Sequence, residues 1–209
     1  MQGILFIEGL YKLTVSGYKN ETRRTGCLSK EINLAPDKWE LFSSVKDSFL
    51  FRNIETGIEK LIIPRYKTDE VLFIKEPYTL SGKGYTYAYD LPENSVTRKW
   101  LKFSNKLFMP EAAAREFIKI SYVHCERVQS IMNNDDACLR EGIIKLPDVN
   151  GSFRGYIHCN SKASNPFHLS GHAFKDLFCS VNKKTGIQSW LKNEWVFVYG
   201  YELIKKENK

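Results

Sequence analysis

Apolar positions along the chain fall into short runs with two different periods. Residues 4–7 (ILFI) form a run suited to a strand, and residues 8–16 follow with Leu10 and Leu13, and Tyr11 and Val15, at helical spacing. Gly17 then stands where a helix C-cap belongs. Between 48 and 64 the runs SFLFRN and IEKLIIP flank Ile54-Glu55-Thr56-Gly57, a hairpin pattern because glycine supplies the positive φ of a tight turn. Residues 71–75 and the aromatic run 85–89 predict two more strands. Residues 115–128 alternate, with Ile118, Ile120 and Tyr122 on one face and Phe117, Lys119 and Ser121 on the other, which predicts a long strand. A short helix is predicted over 135–141, capped by Asn133 or Asn134, with acidic residues in its first turn and Gly142 at its stop. Residues 173–181 read as an amphipathic helix. Residues 195–204, nearly all apolar or aromatic and followed by a Lys-rich tail, read as a central closing strand. Five or six strands and three short helices make an α+β domain. The mixed order and short connections suit a small, partly open β-barrel rather than a doubly wound sheet.

Composition adds a class and a compartment. The 209 residues show no repeat, low-complexity tract or linker, so one domain spanning 1–209 is expected. Hydrophobic residues at 43% and charged residues at 26% match ordinary globular chains. The first twenty residues carry Glu8, Lys12 and Lys19, and no later run approaches the roughly 18 apolar residues of a spanning helix, so no membrane association or secretion is expected. Five scattered cysteines, Cys27, Cys125, Cys138, Cys159 and Cys179, read as reduced thiols of a cytoplasmic protein. The net charge of +7 favours polyanionic partners, and the Arg98, Lys99, Lys102, Lys106 cluster points to single-stranded RNA or DNA.

The candidate chemistry is sparse. Gly17-Tyr18-Lys19-Asn20-Glu21-Thr22-Arg23-Arg24 sets three cations and a hydroxyl just past a helix stop, where loop residues converge on a phosphate or a base edge; the plainer reading is a solvated basic turn. His158, Cys159, His168 and His172 are zinc-ligand types within fifteen positions. There is no C-x-x-C, however, and Pro166 and Gly171 interrupt the helix that would align the last two histidines, so no metal or cofactor is expected. Nucleophile-elbow, Walker, Rossmann and H-E-x-x-H motifs are absent from the sequence. Most of the 13 Phe, 11 Tyr and 4 Trp must fill the core, and only Tyr18, Tyr78 and Trp190 lie near suggestive polar residues.

In this order the motifs resemble the ASCH family, in particular its longer form common in phage and prophage genomes. The opening ILF, helix and GYKNETRR look like that family's first strand, helix and G-x-K-T-x-T-R-R signature. VLFIKEPY resembles its strand ending in V-[RK]-E-x-[WY], and Met109-Pro110 through AREFIKISYVHCERVQSI its Met-Pro, Arg and long-strand block. NNDDACLREGI, FKDLFCSVN and SWLKNEWVFVYGYEL are similar to its short helix ending in Glu-Gly, its closing helix and its last strand. Asn20 stands where the signature usually has Thr, and residues 27–69 match poorly, as a family-variable insertion would.

The resemblance implies a PUA-like barrel with short flanking helices and a basic cleft beside the G-x-K loop that receives RNA, DNA or a modified nucleoside or nucleotide, in a bacterial or phage-infected cell. A small bacterial relative is an amidohydrolase on N-acetylated cytidine, whose catalytic Lys, Thr and Glu match Lys19, Thr22 and Glu141; other relatives have been proposed as ribonucleases or transcription-associated binders. Tyr18, Arg23, Arg24, Glu76 and Arg115 are the matching candidates for ligand contact. Lys19 beside Arg23 and Arg24 has neighbours that lower its pKa and favour a general base, Thr22 is then the nucleophile, and Glu141 the proton shuttle. Alternatively Glu141 pairs with a signature arginine to hold helix and loop together. A binding module, a nucleoside or nucleotide hydrolase and a phage factor acting on a host protein therefore stay open.

Overall fold

The computed structural model describes residues 1–82, 84–161 and 164–205, so the end of the Lys-rich tail lies outside the described residues. Along them run β1 (Gln2–Leu5), α1 (Glu8–Val15), β2 (Glu21–Arg24), β3 (Trp39–Val45), β4 (Ser48–Asn53), β5 (Glu59–Ile62), β6 (Val71–Lys75), β7 (Tyr78–Ser81), β8 (Gly84–Tyr87), α2 (Val96–Trp100), β9 (Phe117–Arg127), α3 (Asp135–Arg140), β10 (Ile144–Lys145), β11 (Tyr156–Ile157), α4 (Ser170–Val181), α5 (Gly186–Leu191) and β12 (Trp195–Ile204). The main sheet has the order β1-β6-β9-β12-β2. Only β1 and β6 are parallel. With β1 and β2 as free edges this sheet is open, and β3-β4-β5, β7-β8 and β10-β11 form smaller antiparallel sheets. The chain is thus α+β, with several sheets and short helices. None of its helices is long and apolar enough to cross a membrane, among the described residues.

β12 lies inside the sheet because its sequence suits burial on both faces. Val196, Phe197, Val198, Tyr199 and Tyr201 are all buried, and β12 pairs with β9 from Trp195↔Arg127 to Ile204↔Phe117. Gly200 is required where it stands: the Tyr122 ring lies across it, and a Cβ there would come within 2.2 Å of that ring.

Residues 27–69 build the cover of one face of β12. Phe49 meets Phe197 edge-on at 5.1 Å, Phe51 meets Trp195 at 5.2 Å, and Tyr66 meets Tyr199 at 5.3 Å between ring centroids. Leu28 and Ile32 are fully buried in the same core. At about 1.5–3 kcal/mol for each large apolar side chain removed from water, the segment is a core-bearing part of the fold. Against the other side, α4 packs on α3 and α5, with Phe174, Phe178 and Trp190 in mutual contact.

The predicted helix ends are realised by specific groups. Asn134 accepts the Ala137 N–H at 3.0 Å, and Gly142 leaves α3 at φ +94°. Several predictions differ from the structure. The opening strand is Gln2–Leu5 rather than 4–7, and a register shift in β9 puts Ile120 and Tyr122 on opposite faces. The aromatic run at 85–89 is strand only to Tyr87, where it pairs with β7, and then turns into a short 3₁₀ segment. The stretch after Gly17 is not a loop throughout: Glu21–Arg24 is strand β2. Four consecutive polar residues carry no apolar alternation, and what makes them a strand is pairing with β12, Thr22 opposite Tyr199 and Arg24 opposite Phe197.

Candidate ligand-binding cleft

The segment between α1 and β2 is clamped from three elements. The Lys19 N–H donates to Leu13 O of α1, the Asn20 N–H to Arg140 O of α3, and the Tyr201 N–H of β12 to Asn20 O. β2 then alternates. Thr22 and Arg24 turn to one face of the sheet, and Glu21 and Arg23 to the other.

The Glu21 and Arg23 face is a closed ion cluster. Lys19, only 1% exposed, has three acceptors for its ammonium protons: Glu21 O, Glu141 O at 2.9 Å and Glu141 Oε2 at 2.7 Å. Arg23 donates to Glu141 Oε1 at 3.0 Å and to Glu126 Oε1 at 2.8 Å. It also lies 2.6 Å from Glu21 Oε1, without hydrogen-bond geometry. The other oxygen of Glu21 accepts from Arg140 Nε and from the Tyr122 hydroxyl, each at 2.7 Å. Lys19, Arg23 and Arg140 thus face Glu21, Glu126 and Glu141. Burial lowers the pKa of Lys19, partly opposed by Glu141. Burial also pushes Glu21 upward, but Arg23, Arg140 and Tyr122 together hold it below the usual carboxylate range. The Tyr122 phenol is raised to about 12, by burial first and by Glu21 second.

Of the three residues matched to a catalytic set, Lys19 and Glu141 are in contact and Thr22 is adjacent on the opposite face of β2. Among the described residues no hydrogen bond joins Thr22 to either.

Thr22 and Arg24 instead help line a cleft of about 400 Å³ between β2, the β1–α1 junction, α4 and residues 65–66. Its walls include the cations Arg24, Arg65 and Lys106, with Arg23, already held in the ion cluster, behind them, and no Asp or Glu among the described residues. Aromatic wall residues are Phe6, Tyr66, Phe178 and Tyr199. Arg24 Nη2 donates to Leu5 O at 2.7 Å, its guanidinium lies 5.5 Å from the Phe6 ring centroid, and its buried Nε–H has no acceptor among the described residues. Lys106 Nζ donates to Phe6 O at 2.7 Å and to the Tyr89 hydroxyl at 3.2 Å, and burial lowers its pKa. Arg65 lies over the Tyr66 ring at 5.3 Å. A concave site with converging cations over an apolar floor is suited to an anion.

The other candidates lie elsewhere. Glu76 is fully buried and accepts from Arg115 Nε at 2.8 Å, Arg115 Nη2 at 2.9 Å and the Tyr11 hydroxyl at 3.1 Å, while Arg115 also reaches Asp90. This second ion cluster does not contribute to the cleft walls. Tyr18 is 71% exposed and also outside them. Trp190 is a core residue and Tyr78 a hairpin residue bridged to Ser104. His158 is buried against Asp176 at 2.8 Å, and no group of three or more His, Cys, Asp or Glu side chains is placed to hold a metal, among the described residues. Sequence reasoning missed Phe6, Arg65, Tyr66 and Tyr199 as wall residues. Phe6 and Tyr199 sit in apolar runs indistinguishable from core, and Arg65-Tyr66 belongs to the segment with no matching motif.

No protein-family model matches the chain, and neither a curated protein nor a solved structure matches it.

Proposed function

We propose that the chain is an ASCH-type, PUA-like module that binds RNA, DNA or a free nucleotide through a phosphate held in the β2 cleft. The observation carrying this reading is the composition of the walls: three cations without an ion-pair partner, Arg24, Arg65 and Lys106, over an apolar floor, and no carboxylate among the described residues. Arg24, Arg65 and Lys106 have no carboxylate within ion-pair distance among the described residues, so their charge is available to an anion. Phe6, Tyr66 and Tyr199 are buried and give the cleft an apolar floor beneath these cations. The lining set also includes Thr22, Thr25 and Asn182, neutral groups that can fix orientation.

Titration of the protein with nucleoside 5′-monophosphates and with the matching nucleosides tests the reading. The phosphorylated forms should bind at least about tenfold more tightly, equivalent to about 1.4 kcal/mol. Equal affinity, or no binding of either, would remove it.

A second reading has one observation in its favour. Lys19 Nζ and Glu141 Oε2 are 2.7 Å apart, as an amidohydrolase of N-acylated cytidine would require of a base and its proton shuttle. Against it, all three ammonium protons are already engaged and the Thr22 hydroxyl lies on the other face of the strand. Incubation with N-acetylated cytidine, followed by mass, separates the readings: release of free cytidine that Thr22→Ala abolishes would establish the enzyme.

A further inference from the structure

The cations between residues 96 and 108 divide into two sets. Arg98 is fixed by Glu8, with Nη2 to Oε2 at 2.6 Å and Nη1 to Oε1 at 3.0 Å. Lys106 is fixed by Phe6 O. Between them the Ser104 N–H donates to Tyr78 O at 2.8 Å. The segment is thus tied down at three points, two of them on residues 6–8 at the rim of the cleft. Lys99 and Lys102 are exposed and have no ion-pair partner among the described residues. The same segment presents two aromatic side chains almost wholly to solvent, Trp100 at 83% and Phe108 at 81% exposure. Each stands two positions from a fixed cation, so its Cα lies within about 7 Å of the corresponding anchor.

An exposed tryptophan or phenylalanine alone needs no explanation. Here both lie in a stretch with four cations and no carboxylate, continuous with a cleft wall through Lys106. Exposed rings match unpaired bases, whose faces stack on any aromatic group, and free lysines match the phosphates between them. A duplex keeps its base faces inside, and an apolar protein partner would gain nothing from the lysines.

We propose that residues 96–108 are a stacking platform for single-stranded nucleic acid, on which bases rest against Trp100 and Phe108 while the backbone runs past Lys99 and Lys102 toward the cleft. The proposal rests on the cleft taking a phosphate, and it adds the partner's strandedness and its path.

The test measures binding of fluorescent oligothymidylates and oligouridylates, from the mononucleotide to about 16 nucleotides, the range of single-strand sites. Affinity should rise with length and then level off, and a duplex of the same length should bind at least about tenfold more weakly. Trp100→Ala and Phe108→Ala should each weaken the long oligomer about tenfold and leave the mononucleotide unchanged, and Trp100→Phe should keep part of the affinity that Trp100→Ala loses. Both side chains are exposed, so the variants should keep the wild-type melting temperature. Mononucleotide binding without a gain on lengthening, or a gain that survives both alanine variants, overturns the platform and leaves the cleft reading intact. Loss of all binding, mononucleotide included, overturns both. A dimer in solution that Trp100→Ala dissolves would show that the rings serve a second copy of the chain, and would also overturn the platform.

Discussion

Lys19 Nζ donates to Glu141 Oε2 at 2.7 Å across 122 positions of sequence. The same amine takes the main-chain oxygens of Glu141 and Glu21, so one side chain ties the end of α3 to the start of β2. Removing two opposite charges from water is costly, and the pair persists because each ammonium proton and each carboxylate oxygen finds a partner.

Breaking this pair from one side should be severe. Lys19→Met and Glu141→Leu are each expected to cost about 3–5 kcal/mol, because each strands a buried charge, whereas the two together should cost less than the sum of the single losses. Urea unfolding of the three variants gives the coupling directly. Single-variant losses below about 0.5 kcal/mol would mean that the pair is hydrated in solution.

Arg24 makes one hydrogen bond, to Leu5 O, and no ion pair among the described residues, so its replacement bears on a ligand more than on the fold. Arg24→Ala should weaken oligonucleotide binding uniformly across sequences and lower the slope of log affinity against log salt by about 1. Anisotropy titrations at several salt concentrations would show it. An unchanged slope would place the phosphate elsewhere.

Acid should unfold the protein through the ion cluster. Glu21 and Glu126 both sit below their ordinary value of 4.5, despite burial, because Arg23 with Arg140 and His124 respectively favours their charged forms. A depressed carboxylate contributes stability that is complete above its unfolded pKa and is lost as pH falls through the folded value. Thermal midpoints should therefore be flat near neutrality and fall below about pH 4.5. Glu21→Gln should start lower at pH 7 and fall less steeply. A midpoint independent of pH in that range would count against the cluster.

Thiol reactivity should report depth. All five cysteines are free thiols whose pKa values burial raises, and they differ in access, Cys27 being exposed and Cys125 and Cys138 buried. Ellman's reagent should modify Cys27 first, and Cys27→Ser should remove that phase. Cys125 and Cys138 should react only as the chain unfolds. Rapid reaction of all five would mean an open core.

Elements whose pattern and burial agree were legible in the sequence. The runs at 71–75 and 195–204 are strands over those same residues, since their side chains fill the core. The cap of α3 was readable as chemistry, from Asn134 to Gly142. The order of motifs also placed Lys19 near Glu141. β2 was not legible as a strand, because its signal is the complementary surface of β12 and α3 rather than its own composition. The same holds for β3, whose alternation Trp39, Leu41, Ser43 weakens midway, and for the cleft residues Arg65 and Tyr66, which reach Arg24 only through the pairing of distant strands. Glu76 and Arg115 read as cleft residues from the family resemblance. Their mutual ion pair instead closes a separate cluster.

The two unlike faces of β2 also guard against misassembly. A slip of one residue along β12 would exchange the faces, turning the Glu21 carboxylate toward the cleft and leaving Thr22 and Arg24 facing Glu126 and Glu141. Such a slipped state would expose buried carboxylates to the wrong neighbours and strand the Lys19 amine. The spacing within Lys19-Asn20-Glu21-Thr22-Arg23-Arg24 is therefore intolerant of a single insertion or deletion, even though every one of these residues is polar.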